Sequence, residues 1–145
     1  MIQEAAEGPR RILVPVDFTT ATRKAVKHAI FLGRQTRARV YLLHACPTDI
    51  ETPEAACPTA QWRARLLHLE VEQFLSELVV EISAAGLASD CHLMHKPPLD
   101  AILAATRQLH ADLIVMGSRA GESHHDSVAD RVRHHSDCPV VVVKA

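Results

Sequence analysis

The stretch "ADLIVMGSR", Ala111 to Arg119, decides the fold. Leu113 to Met116 are apolar without alternation, which suits a strand covered on both faces, and the Gly117-Ser118 pair ends the run as a turn. Such a strand belongs to a parallel sheet sandwiched between helices. Four further apolar runs read as strands: "RILVPV" from Arg11, "RVYLLHA" from Arg39, "DCHLMH" from Asp90 and "PVVVVKA" from Pro139, the last with Val140 to Val143 again continuously apolar.

Four helical segments lie between them. The first carries Val26, Ala29, Ile30 and Gly33 at helical spacing, with Thr19 or Thr20 placed to cap it. The second, the longest, aligns Leu67, Val71, Phe74, Leu75, Leu78 and Ile82 and ends near Gly86. A third repeats Leu99, Ile102, Leu103, Thr106 and Leu109 after Pro97-Pro98, and a fourth runs from about Ser127 to His135 with Val128, Ala129 and Val132 inward. Strand and helix alternating in this way, with right-handed crossovers, predict a doubly wound three-layer α/β/α sandwich with a five-stranded parallel sheet. For a strand order of 3-2-1-4-5, a ligand cleft lies at the carboxyl ends of the first and fourth strands, where Asp17 faces Gly117.

The chain has 145 residues and is 48% apolar, enough for a single core, read here as one domain over residues 11–145 behind a loose tail at 1–10. The segment "CPTDIETPEAACPTAQ", Cys46 to Gln61, has three prolines and reads as a mobile loop over the cleft rim. Sixteen Lys plus Arg against seventeen Asp plus Glu leave a charge of −1, which gives no electrostatic reason to expect nucleic acid or a membrane as partner. No run approaches the ~18 apolar residues of a membrane span, and "MIQEAAEGPR" lacks the apolar core of a signal peptide, so a cytoplasmic location is expected. Cys46, Cys57, Cys91 and Cys138 form no C-x-x-C pair and are expected to stay reduced.

Three features together carry a family resemblance: the first strand ending in "VPVDFT", the "ADLIVMGSR" strand and turn, and the "SVADRV…CPVVVV" ending. On these the sequence resembles the universal stress protein family, from Arg11 onward. The resemblance implies an adenine nucleotide alpha hydrolase-like fold, a homodimer joined through the last strand, and membership of a branch that binds ATP or of one that does not. ATP-binding members carry a Gly-x-x-Gly turn, a spacer of nine residues, and a Gly-Ser or Gly-Thr opening a helix. Glycines permit close backbone approach and positive φ, so amide N–H groups and the helix N-terminus can hold phosphates.

Gly117 is in place here, but Ala120 holds the second glycine position and Gly121 comes one residue late. Aligning "DSVADRV" on the family pattern leaves Gly121 to His125 as a five-residue spacer, four short, and puts Asp126 where a phosphate-contacting glycine belongs. Asp126 could cap the last helix itself, or Ser127 could do so with Asp130 three residues on. The rest of the cleft, Val16, Asp17, Gly117, Arg119, Ser127 and Val128, matches the family as a vestigial nucleotide site. Asp17 has an alternative role as a cap for the first helix with Thr19, and Lys96 of Lys96-Pro97-Pro98 could meet an anion or simply be solvated.

Ten histidines invite a metal reading, above all His124-His125-Asp126 with His134-His135. Ligands three or four residues apart share a helix face, and neither pair is read as having such a partner, so no metal site is expected. His44 and His110 read as element ends, and His92 and His95 as opposite faces of a strand. Ser118 lacks the glycine framing of a nucleophile elbow, so no catalytic residue is assigned. The expectation is a non-enzymatic binding protein of the stress response. It would act as a homodimer through Val140–Val143 with an unknown protein partner, and with no cofactor or weak ATP binding. The alternative is a regulatory binder of ATP with magnesium, or of AMP.

Overall fold

The computed structural model describes residues 8–17, 19–45, 58–118 and 127–144, except for the side chains of 58–68. Its elements are β1 (Arg11–Val16), α1 (Thr20–Gly33), β2 (Arg39–Ala45), α2 (Pro58–Ala84), β3 (Ser89–Met94), α3 (Pro98–Gln108), β4 (Leu113–Ser118), α4 (Val128–His135) and β5 (Val140–Lys144). All strand pairs are parallel, in the order β3-β2-β1-β4-β5, as the uninterrupted apolar runs require.

Successive strand residues point to opposite faces, so each strand serves two cores. Ile12, Val14, Val16, Val40, Leu42 and Val115 pack under Ala25, Val26 and Ala29 of α1 and Leu78 and Ile82 of α2. Leu13, Tyr41, Leu43, Ile114 and Met116 meet Ala101, Ile102 and Ala105 of α3 and Ala129 and Val132 of α4. In the edge strand β5, Val141 and Val143 side with the first cluster and Val140 and Val142 with the second.

Turn chemistry sets where the elements stop. Gly86, at φ 86°, closes α2: its N–H donates to the Ser83 carbonyl at 2.9 Å and that of Leu87 to the Ile82 carbonyl at 3.2 Å. That pair of bonds is a Schellman motif, with Leu87 and Ile82 both buried beside each other's cluster partners. Pro98 opens α3, where its missing N–H costs nothing, while Asp100 in the first turn and Arg107 in the last complement the helix dipole.

Three expectations need correcting. Pro58 to Gln61, read as loop, are the first residues of α2, because a proline at the first helical position starts a helix rather than breaking it. The remainder of that segment, 46–57, lies outside the described residues. Thr19 occupies the cap position of α1 but makes no side-chain capping bond. Its hydroxyl donates instead to Asp17 Oδ1, at 2.6 Å. Ahead of β1, Gly8 to Arg10 are tied to the fold: the Thr36 hydroxyl donates to the Pro9 carbonyl, and the Asp112 carboxylate accepts from the N–H groups of Arg10 and Arg11 at 3.1–3.3 Å.

Candidate functional site

The carboxyl ends of β1, β2 and β4 and the first turns of α1, α3 and α4 enclose a cavity of about 350 Å³, within the usual range of small-molecule sites. It lies where the strand order reverses. Four of the six residues assigned from sequence line it: Val16, Asp17, Gly117 and Val128. Ser127 sits one residue before Val128, facing a neighbouring groove with Arg133 and Lys144. Arg119 lies outside the described residues, as do Ala120, Gly121, His124, His125 and Asp126.

Asp17 is held by local structure. Its Oδ1 accepts from the Thr19 N–H at 3.1 Å, the Thr19 hydroxyl at 2.6 Å and the Thr22 hydroxyl at 2.6 Å. The Asp17 N–H donates to the Thr22 oxygen at 3.0 Å. Thr22 is buried, so these bonds satisfy a hydroxyl that would otherwise be stranded and fix the entry of α1. Asp17 thus engages Thr19, the residue named in the capping alternative, and also Thr22, but these bonds reach two hydroxyls and the N–H of the N-cap residue rather than a backbone N–H of the first turn of α1.

Gly117 is a strand residue in register with Val143, and its φ is outside the left-handed region. What demands glycine is proximity: a Cβ there would stand 2.5 Å from Ala21 Cβ, 2.6 Å from the Ala21 carbonyl oxygen and 2.7 Å from its carbon. The turn role expected of it is replaced by close packing of β4 on the first turn of α1. Ser118 likewise ends β4 as a strand residue, in register with Lys144.

Ser127 is the N-cap of α4, its Oγ accepting from the Asp130 N–H at 3.0 Å. This decides between the two capping schemes in favour of Ser127. The Asp130 carboxylate turns to His134, 3.6 Å away and one turn on, so His134 does have the helical partner that the sequence reading denied it. Among the described residues no three His, Cys, Asp or Glu side chains converge as a metal site would need. Lys96 is exposed and is not among the residues lining the cavity. His92 tilts against Tyr41 at 5.9 Å, while His95 falls beyond the end of β3.

The cavity also holds residues with no sequence assignment, chiefly Thr22, His44, Pro98 and Ile102. His44 arrives through the register of β2 on β1, which sets it beside Val16. Removal from water lowers its pKa, and a hydrogen bond with the Val16 backbone opposes this with a smaller effect. The unfolded chain thus takes up the proton more readily, so stability must fall as pH drops below about 6.5, until the lowered folded value is also passed. Urea midpoints at pH 7 and pH 5 should show the loss, and His44→Gln should make the pH dependence shallower. An unchanged profile would contradict this role.

With His44 neutral at pH 7, Asp17 is the one formally charged side chain among the described residues lining the cavity. Lys and Arg are absent from that lining, and most of it is apolar.

A sequence model of the Universal stress protein family matches residues 8–144. The chain belongs to the universal stress protein family. Universal stress protein G of Shigella flexneri is 30% identical over 142 residues, which cover 93% of this chain and 99% of that protein. Universal stress protein UspA from Lactobacillus plantarum has the same fold, with a TM-score of 0.77 at 21% identity over 92% of this chain and 97% of that one. The universal stress protein from Archaeoglobus fulgidus, solved in complex with dAMP, superimposes with a TM-score of 0.71 at 25% identity, covering 93% and 98% of the two chains. Among the described residues of this universal stress protein, no helix is long and apolar enough to cross a membrane.

Both described free thiols, Cys91 and Cys138, have pKa values raised first by partial removal from water. At Cys91 the charge of Asp90 adds to the effect. Neither is therefore poised as a thiolate at neutral pH. Cys46 and Cys57 lie outside the described residues.

Proposed function

We propose that this universal stress protein works in the cytoplasm by binding rather than by catalysis, as a homodimer joined through Val140–Val143, and that it holds ATP weakly or not at all. The observation that carries the nucleotide half is the charge of the cavity, with one carboxylate and no Lys or Arg among its described lining residues. The sequence of the loop adds a second carboxylate, Asp126, where the family's ATP binders have glycine. ATP with its magnesium would have to be held by Arg119, Ser127 and backbone N–H groups against these two acids. The physiological ligand is then a protein partner, or a small molecule less charged than a triphosphate.

The dimer rests on β5. It is an edge strand whose four valines are each only half-buried, and an uncovered apolar edge invites uncontrolled pairing. Pairing with the same strand of a second subunit removes that hazard. Equilibrium sedimentation at low micromolar concentration should give a dimer, and a monomer would contradict the proposal.

A second reading is favoured by the position and size of the cavity and by the dAMP complex of the Archaeoglobus fulgidus relative. In it, Val16, Asp17, Gly117 and Val128 still hold the nucleoside end of AMP, and only the polyphosphate grip is lost. Calorimetry with AMP separates the two readings: a Kd below roughly 10 μM favours the second.

A further inference from the structure

The outer face of the α1/α2 layer concentrates exposed apolar surface. The four large apolar side chains that stand exposed among the described residues are Phe31 at 66%, Val80 at 67%, Leu69 at 59% and Leu93 at 47%. The first three lie on α1 and α2 themselves. Leu93 is on the same side, since it is in register with His44, which is in register with Val16 of the cluster beneath these helices. The α3/α4 layer shows no such residue among those described.

Charge divides this face in two. On α1, Lys24, Lys27 and Phe31 follow at helical spacing along the exposed side, Arg34 caps the end, and Thr20 to Gly33 contain no Asp or Glu. On α2, Leu69, Gln73, Ser76 and Val80 form the outward stripe, and Leu69 to Ala84 contain four glutamates with no Lys or Arg. The helices adjoin: Arg23 donates to Glu77 at 2.8 Å, and its guanidinium lies 4.8 Å from the centroid of the Phe74 ring. The result is one surface with a basic aromatic half and an acidic aliphatic half.

A purely acidic partner, or an anionic lipid surface, would be repelled by α2, and a purely basic one by α1. A partner that satisfies both halves must carry both signs side by side in the reverse order. A second copy of this chain does so when turned about a two-fold axis, because an isologous contact sets α1 on α2 and α2 on α1. We propose that this face is a self-association surface, separate from β5. In it Lys24, Lys27 and Phe31 of one subunit meet the Leu69–Val80 stripe and its glutamates on another. Used together, the helix face and the strand edge would join dimers into tetramers, or into an open chain if the two axes do not close.

The test is sedimentation velocity on the full chain over a concentration series to about 100 μM, with far-ultraviolet circular dichroism as the check on folding. Wild-type protein should show an association step beyond its low-concentration species, weakening as salt rises from about 0.05 to 0.5 M. Lys24→Glu with Lys27→Glu makes a protein acidic on both helices, and Glu70→Lys, Glu72→Lys and Glu81→Lys together make one basic on both. Each alone should lose at least about tenfold in that step, and an equimolar mixture should recover it, because only the mixed pair restores both contacts. Absence of the step in wild type, or folded variants that associate like wild type or fail to recover on mixing, would overturn the proposal. If the step observed runs from monomer to dimer rather than from dimer to tetramer, the β5 reading fails and the helix-face reading stands.

Discussion

Alanine at Gly117 is expected to destabilise the protein by about 1–3 kcal/mol with no ligand present. The added Cβ would meet the backbone carbonyl carbon and oxygen of Ala21 as well as its methyl, all within 2.7 Å, so no rotamer change relieves the overlap. Either β4 or the first turn of α1 must shift. A companion Ala21→Gly would remove the methyl contact and leave the two backbone contacts, so it should rescue only part of the loss. Urea unfolding should show a lower midpoint with an unchanged slope. A midpoint equal to wild type would mean that Gly117 is needed for something other than this packing. Because Asp17 and Thr22 anchor the same turn of α1, the distortion would also reshape the cavity.

Rebuilding the loop should produce the larger change, and in binding rather than stability. Asp126 set about 4 Å from a phosphate at an effective dielectric near 20 opposes it by roughly 4 kcal/mol, close to three orders of magnitude in affinity. Asp126→Gly with Ala120→Gly and four residues inserted in Gly121 to His125 removes that charge and restores the spacer of the ATP-binding pattern. ATP affinity measured by calorimetry with magnesium should then rise, most of the gain coming from Asp126→Gly if repulsion dominates and from the insertion if loop length does. Should affinity remain nil in the folded triple change, the defect lies in the cavity, where no described Lys or Arg faces the ligand.

Much of the architecture could be read directly because the physics behind it is local. Continuous apolar runs such as Leu113 to Met116 need cover on both faces, and the two helix layers follow from the alternation of elements, whereas the order 3-2-1-4-5 does not, since the same alternation also builds 2-1-3-4-5 sheets. The start of α2 could not be read, since Pro58 looks like a breaker unless its place in the first turn is known. Gly117 reads from sequence as a turn residue, while the need for glycine comes from Ala21, ninety-six positions away in sequence. His44 escaped because its place in the cavity depends on strand register, which no local pattern encodes. Asp17 reads from sequence as a partner of Thr19, and it bonds equally to Thr22, a buried hydroxyl whose depth only the packing reveals.

Two of the cleft residues shared with the family's pattern thus have structural work that explains them without any nucleotide, Asp17 in the α1 entry and Gly117 at the α1/β4 contact. Their presence is weak support for ATP binding, and the charge of the cavity and loop weighs against it. Calorimetric titration of the wild-type protein with ATP and magnesium tests this most directly. No saturable heat, or a Kd weaker than roughly 10 μM, is expected, and a tighter Kd would contradict weak or absent ATP binding.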